Sequence, residues 1–229
     1  TGSSVGCRLA ACGGDVAEKD RQALLRWGPS GNDLLPHLKG DAGSLNFHPL
    51  PSGAYCVSRT TRSGRPSGSA NIEQFLTHCL IVSSELLEQF ANHPFALAQA
   101  AWGERPVVPK LPAPPRLDPL ELTGTRPVID QPRLVRLVEQ VGPWHLAMLV
   151  QAALNSACLA VAGPVGAGDL ISALFDCLPP GYRPTLSFST GLAFSPDRMY
   201  RLLALPSEST ARRWLSHQPY VTILDLAEQ

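Results

Sequence analysis

The spacing of apolar and polar residues divides the chain into short helices and strands. Residues 54–62 and 75–82 are rich in β-branched and apolar side chains, which predicts two strands, the second with the density of a central strand. The second half alternates helical patterns with strands predicted from CLAVAG, TLSFSTG, MYRLLALP and YVTILDL. This order predicts an α/β protein, with a mixed α+β N-terminal half and an α/β C-terminal half that has a partly parallel sheet.

Polar and proline residues predict where helices begin. Asp15 with Glu18 resembles a capping box at the start of the first helix. Asp130 is predicted to cap a helix over PRLVRLVEQV, which has one apolar face. Pro143 starts the next helix, which is apolar nearly all round and is therefore expected to be buried.

Prolines mark the predicted domain boundary. Eight of the 22 prolines fall between Glu104 and Pro132, where they prevent helix interiors and central strands. We therefore expect a mixed α/β N-terminal domain at 1–103, a semi-rigid proline-rich connector at 104–132 and a second α/β domain at 133–229.

Charge and cysteine usage narrow the class of protein. Lys plus Arg and Asp plus Glu number 19 each, so no net charge attracts nucleic acid or an anionic membrane. No apolar run reaches the roughly 18 residues that span a bilayer. The six cysteines show no paired CxxC spacing. We expect a cytoplasmic protein with free thiols, a protein partner, no nucleic-acid or membrane partner, no metal and no cofactor.

The segment after CLAVAG resembles a phosphate-binding loop. Gly163 and Gly168 have the P-loop spacing, with Gly166 between them, but Asp169 and Leu170 stand where a P-loop has Lys and Ser or Thr. An aspartate there would face the phosphates with like charge. We expect a structural turn in which Asp169 caps the next helix or lies in its first turn. The alternative is a degenerate nucleotide-binding sensor that uses residues 163–169.

The first half contains further candidate residues. His78 and Cys79 are adjacent on a predicted strand, so their side chains point to opposite faces and cannot act on each other. A Cys- or His-dependent enzyme that pairs one of them with a residue elsewhere is a second alternative. Arg59, Arg62 and Arg65 lie at a strand end and in a Gly/Ser loop, and with His78 they are candidate contacts for a partner or a phosphate. No catalytic residue is assigned.

Several cysteines and histidines of the first half could converge in three dimensions. No spacing among them matches a zinc finger or ribbon, so we expect buried structural thiols and no metal site. The residues concerned are Cys7, Cys12, His48, Cys56, His78 and Cys79.

Four short motifs occur in an order that resembles a known family. They are Gly6-Cys7-Arg8-Leu9, Pro49-Leu50-Pro51, Thr77-His78-x-Leu80 and Phe188-Ser189-Thr190. The order is similar to the N-terminal and middle regions of bacterial GTPase-associated proteins of conflict, or defence, systems, with Cys7 where that family has His. The resemblance implies a non-enzymatic adaptor or scaffold subunit that binds a partner protein, a GTPase or another component encoded in the same operon. It transfers no catalytic residues to this chain.

Overall fold

The computed structural model describes residues 7–13, 15–29, 33–35, 43–62, 75–103, 116–125, 128–206 and 209–227 of the 229-residue chain. Its helices are α1 Glu18–Trp27, α2 Ser84–Gln89, α3 Pro94–Trp102, α4 Gln131–Val141, α5 Pro143–Asn155, α6 Ala167–Cys177 and α7 Ser209–Ser216. Its strands are β1 Cys12–Gly13, β2 Ser44–Pro49, β3 Tyr55–Arg62, β4 Phe75–Val82, β5 Arg116–Leu117, β6 Cys158–Ala162, β7 Phe188–Ser189, β8 Leu202–Ala204 and β9 Val221–Asp225. A 3-10 helix covers Arg183–Thr185.

Seven strands form one mixed sheet in the order β4-β3-β2-β7-β8-β6-β9. The pairs from β4 to β7 are antiparallel. The pairs from β7 to β9 are parallel. The short strands β1 and β5 form a separate parallel pair. The predicted α/β fold is confirmed.

Helices cover both faces of the parallel part of the sheet. The connections β6–α6–β7 and β8–α7–β9 run in opposite directions along the sheet, so right-handed crossovers place α6 and α7 on opposite faces. The buried apolar residues form two cores, a larger and a smaller one, and the members of each core agree with this placement. Leu159 and Val161 of β6 belong to the larger core with α6, whereas Cys158 and Ala160 belong to a smaller core with Leu215 of α7.

The two halves predicted as separate domains share this sheet and its larger core. β2 from the first half pairs directly with β7 from the second, with Phe47 opposite Phe188. Both side chains are fully buried in the same core as Phe175 of α6. A domain has a core of its own, so the connector at 104–132 does not separate two cores. The physical reason is that β2 and β7 each satisfy the other's backbone hydrogen-bonding groups and bury a shared aromatic cluster.

Three local predictions need correction. The residue that precedes α1 is Ala17, which makes no side-chain capping bond, so Asp15 and Glu18 do not form a capping box. β4 has its predicted bounds but lies at the edge of the described sheet. α5 is buried on one side only, because Leu146 is buried while Trp144 is 74% exposed.

Other local predictions hold. Asp130 caps α4 through a bond from the Arg133 backbone N–H to its carboxylate, and Leu137 and Val141 of the apolar face are buried. None of the helices in the described ranges combines the length and apolar character needed to cross a bilayer.

Candidate functional site

The glycine segment after β6 is a tight strand-to-helix turn. β6 ends at Ala162 and α6 begins at Ala167, so Gly168 already lies inside the helix. A side chain at Gly163 would place its Cβ 3.0 Å from Leu170 Cδ1, so this glycine allows the turn to pack closely on α6. Leu170 is fully buried and presents no polar group. The position that holds the Mg²⁺-binding hydroxyl in a P-loop is therefore part of the apolar core here.

Asp169 lies in the first turn of α6, but it is not the cap. Gly166 is the N-cap residue and makes no side-chain bond, which corrects the capping alternative. The Asp169 carboxylate instead accepts a hydrogen bond of 3.4 Å from the Arg133 guanidinium of α4. This exposed ion pair connects the first turns of two neighbouring helices.

Two of the predicted contact residues lie side by side. Arg59 on β3 is directly opposite His78 on β4, and Arg62 is opposite Phe75 at the end of the same pair of strands. Burial lowers the pKa of His78, and the nearby positive charge of Arg59 lowers it further. His78 is therefore a neutral imidazole beside a guanidinium at neutral pH. Arg65 lies outside the described residues.

The antiparallel part of the sheet has one face made of polar side chains, which we call the polar sheet face. Its members alternate along four neighbouring strands and are opposite or diagonal to one another in the pairing register. They are Ser44, Asn46 and His48 on β2, Cys56, Ser58 and Thr60 on β3, Thr77 and Cys79 on β4, and Ser189 on β7. Most of these side chains are buried. Burial of so many neighbouring polar side chains is unusual, because polar residues are mostly exposed in folded proteins.

Asn46 is the centre of this face. Its side-chain oxygen accepts hydrogen bonds of 2.7 Å from the hydroxyls of Ser44 and Ser189. Its side-chain nitrogen donates to the Ser58 hydroxyl at 3.2 Å. The hydroxyls of Thr60 and Thr77 are 3.0 Å apart. The network joins β2, β3, β4 and β7, and it satisfies polar groups that would otherwise be costly to bury.

His48 lies at one end of the polar sheet face between two aromatic rings. The Trp27 ring of α1 stacks on it with the ring centres 4.2 Å apart, and Tyr200 meets it edge-on. Burial lowers the pKa of His48 to about 4. His48 is therefore neutral at physiological pH and contributes to packing.

Two thiols meet beside His48. The Cys56 thiol donates a hydrogen bond to the Cys79 sulfur, which lowers the pKa of Cys79. The same bond, together with complete burial, raises the pKa of Cys56 well above its ordinary value. The Cys79 residue is exposed, whereas Cys56 is fully buried.

The cavity beside Cys79 is too small for a substrate. It has a volume of about 10 Å³ and lies between Trp27, Asn46, His48 and Cys79. This is space for about one water molecule. Within the described ranges, no group of three or more His, Cys, Asp or Glu side chains could hold a metal ion. The reactive side chains of the polar sheet face are therefore its thiols, those of Cys56 and Cys79.

A second buried polar cluster surrounds Arg183, which is fully buried in the 3-10 helix. Its guanidinium donates to the backbone oxygens of Leu178, Ala91 and Val128, at 3.0, 2.8 and 2.7 Å. The nearby His93 imidazole is 3.5 Å from the Asp176 carboxylate, and both side chains are fully buried. The three hydrogen bonds of Arg183 hold three segments of chain together, and the side chains of Arg183, His93 and Asp176 are buried. Sequence reasoning missed them, although Asp176 is conspicuous as a charge near the end of an apolar helix.

A concave surface lies beside α5, and we call it the apolar groove. It has a volume of about 480 Å³ and is lined by one residue of α4, one of α6 and a series from α5. The lining residues are Val138, Cys177, Pro143, Leu146, Ala147, Val150, Gln151, Leu154 and Asn155. Its shape and apolar lining suit the side chains of another protein better than a charged metabolite.

Comparisons of the chain with protein-family models, with curated proteins and with solved structures found no match. The motifs that resemble the GTPase-associated family lie at the β2–β3 turn, in β4 and in β7, apart from Gly6-Cys7-Arg8-Leu9, whose first residue is outside the described ranges. The membership of that family therefore stays a prediction.

Proposed function

We propose that this chain is a non-enzymatic adaptor or scaffold subunit whose partner protein docks on the exposed side of α5 and in the apolar groove. The observation that carries this proposal is Trp144, which is 74% exposed at the start of a helix with almost no polar character. Exposing a large aromatic side chain to water is unfavourable, and tryptophan is among the residues most enriched in protein interfaces.

The exposed residues of α5 have the spacing of a helix-docking surface. Trp144, Ala147, Gln151 and Leu154 are exposed and follow one another at intervals of three, four and three residues. This spacing places them along one stripe of the helix, which is the arrangement that receives a second helix at a shallow crossing angle. The small side chain of Ala147 leaves room for a bulky side chain of the partner beside Trp144.

Charge identifies the chemistry of the partner. α5 contains no Asp, Glu, Lys or Arg, so it offers no ion pair to a charged ligand, and burying a charge against it would be costly. The expected partner surface is an amphipathic helix with an apolar face, as in other helix-in-groove complexes. The family resemblance supports a GTPase of a bacterial defence system as the protein that provides it.

The first prediction concerns Trp144. The Trp144→Ala variant is expected to bind the proposed GTPase partner at least about tenfold more weakly, because an interface tryptophan commonly contributes a large share of the binding energy. Isothermal titration calorimetry measures this change. The matched control is Trp214→Ala, since Trp214 is also exposed, at 49%, but belongs to α7 on the opposite face of the sheet.

Two outcomes would contradict the proposal. Equal weakening by Trp144→Ala and Trp214→Ala would show that α5 is not the docking surface. A wild-type protein that forms a dimer in light-scattering measurements, and a Trp144→Ala variant that is a monomer, would assign the surface to a second copy of this chain.

A further inference from the structure

Strand β4 has the side-chain pattern of a central strand, although it lies at the edge of the described sheet. It runs for eight residues, Phe75–Val82, without a charged residue or a proline. Its pairing with β3 continues over all eight residues, so no bulge interrupts it. Within the described ranges, no strand pairs with its other side. Natural edge strands are usually short, charged, bulged or interrupted by proline, because an unprotected edge pairs with other chains.

The opposite edge of the sheet has the usual protection. β9 has only five residues and ends in Asp225. The Asp225 carboxylate accepts a hydrogen bond of 2.7 Å from the guanidinium of Arg212 on α7. A short strand with a charged residue is a poor template for a further strand. Of the two edges of the described sheet, β4 is therefore the one suited to pairing.

Apolar side chains on both faces of β4 lack a core to pack against. Leu80 is opposite Val57 and faces the larger core, so Leu76 faces the same side and Ile81 faces the other. Neither of the cores formed by the described residues includes Leu76 or Ile81, and both residues are only partly buried. A nearly continuous apolar run is typical of a strand that is covered on both faces. A further strand beside β4 would cover both residues.

A second copy of β4 matches this edge. In an antiparallel pair with a twofold axis perpendicular to the sheet, residues on the same face lie opposite each other. An axis at His78 pairs apolar with apolar residues and polar with polar residues. The pairs are Phe75 with Ile81, Leu76 with Leu80, Thr77 with Cys79, and His78 with itself.

The side chains also select this register over the neighbouring one. An axis at Cys79 would place Thr77 opposite Ile81 and His78 opposite Leu80. Each of these pairs would join a polar and an apolar side chain. Because register follows the pattern of apolar side chains, the axis at His78 is favoured.

Charge does not oppose this pairing. Burial and the nearby Arg59 lower the pKa of His78, so the two imidazoles at the axis are neutral near pH 7. Arg59 lies opposite His78 on β3, one strand further from the axis in each copy. Three strand spacings, about 14 Å, would separate the two Arg59 backbones. Physiological salt screens most of the repulsion at that distance.

We propose that β4 is the interface of a symmetric dimer, in which two copies of this chain pair their β4 strands antiparallel around His78 and join their sheets into one. Backbone hydrogen bonds between the strands supply affinity, and the alternating side chains specify the register. The proposal is independent of partner docking on α5, because α5 packs against β6 and β9 at the far end of the sheet.

The second prediction is a charge swap at His78. The wild-type protein is expected to be a dimer in light-scattering measurements at micromolar concentrations. His78→Lys and His78→Glu should each weaken the dimer at least about tenfold, because each places two like charges opposite each other between the copies. An equimolar mixture of the two variants should restore the dimer, since opposite charges then meet at the axis. Circular dichroism of each variant checks that it is folded.

The matched control is Thr222→Lys, because Thr222 is exposed on the other edge strand, β9. This variant and Trp144→Ala should both remain dimers. Amide hydrogen exchange along β4 should be slower in the wild-type dimer than in His78→Lys. A monomeric wild-type protein, a dimer that His78→Lys leaves intact, or a mixture of the two His78 variants that stays monomeric would overturn the proposal. Dissociation by Trp144→Ala would overturn it as well, since the interface would then lie on α5.

Discussion

Asp130 and Asp169 both lie near the start of a helix, but their carboxylates do different things. Asp130 precedes α4 and accepts a hydrogen bond from the backbone N–H of Arg133. Asp169 is inside α6, and its carboxylate accepts a hydrogen bond from the Arg133 side chain, while 65% of the Asp169 side chain is exposed. A carboxylate that bonds a free backbone N–H stabilises a helix more than an exposed ion pair does.

The third prediction compares these two aspartates. Asp130→Ala is expected to lower the free energy of unfolding by about 1 kcal/mol, because a backbone N–H loses its cap. Asp169→Ala should cost less than that, since it removes a favourable charge near the helix N-terminus and a solvent-screened ion pair. Urea denaturation measures both variants under the same conditions. A larger loss for Asp169→Ala would show that the ion pair with Arg133 matters more than its exposure suggests.

The turn that follows α6 depends on one buried arginine. Arg183 donates to backbone oxygens from α6's C-terminal end, from the turn between α2 and α3, and from the segment that leads to α4. Two residues of the α2–α3 turn, Ala91 and Asn92, have positive φ angles, at 53° and 55°. These conformations are unfavourable for residues other than glycine, and the bond from Arg183 to the Ala91 oxygen helps to hold the turn in place.

The fourth prediction concerns this arginine. Arg183→Lys keeps the charge but cannot reach three carbonyls with one ammonium in the same planar arrangement, so we expect a loss of about 3 kcal/mol or more in the free energy of unfolding. Arg116→Lys, at an exposed position of β5, is the control and should change stability by less than about 0.5 kcal/mol. Equal effects of the two substitutions in urea denaturation would contradict a structural role for Arg183.

The whole molecule is built around a sheet whose two halves come from opposite ends of the chain. His48 shows the consequence, because its ring is enclosed by Trp27 from α1 and by Tyr200 from the segment before β8. Cys56 is directly opposite it on β3. Among these three neighbours, none is charged between pH 4 and 7. His48 therefore loses solvent only when both halves of the chain are in place.

The fifth prediction follows from the pKa of His48, which burial lowers to about 4 from an ordinary value of 6.5. Between these pH values the unfolded chain binds more protons than the folded chain, so the free energy of unfolding decreases as the pH falls from 6.5 to 4. The total loss is about 3 kcal/mol once the pH is below the folded-state pKa. His78, whose pKa is also lowered, acts in the same direction.

The variant His48→Phe isolates this contribution. It keeps an aromatic ring against Trp27 but removes the titrating group, so the loss of stability between pH 6.5 and 4 should become smaller than in the wild-type protein. Denaturant unfolding at a series of pH values provides the comparison. An identical pH dependence in His48→Phe would exclude His48 as its source.

The sequence patterns correctly predicted the features that depend on residues close together in the chain. The bounds of β4, the Asp130 cap and the strand–turn–helix at β6 and α6 were predicted, because β-branched density, capping residues and apolar periodicity are local. The polar sheet face was missed. Ser44, Asn46 and His48 alternate with apolar residues, which is also the pattern of an ordinary strand with one face in water.

The amino-acid sequence by itself determined the fold class, most of the element positions and the loss of a P-loop's lysine and hydroxyl after Gly168. The tertiary structure decided that the halves share one sheet, that Trp144 is exposed, and that the Asn46 side chain joins hydroxyls from both halves of the chain. The physical reason is the separation along the chain over which each interaction acts. Helix caps and strand periodicity act over a few residues, whereas sheet register, burial and thiol contacts depend on segments far apart in the chain, whose pairing is selected by the shared core.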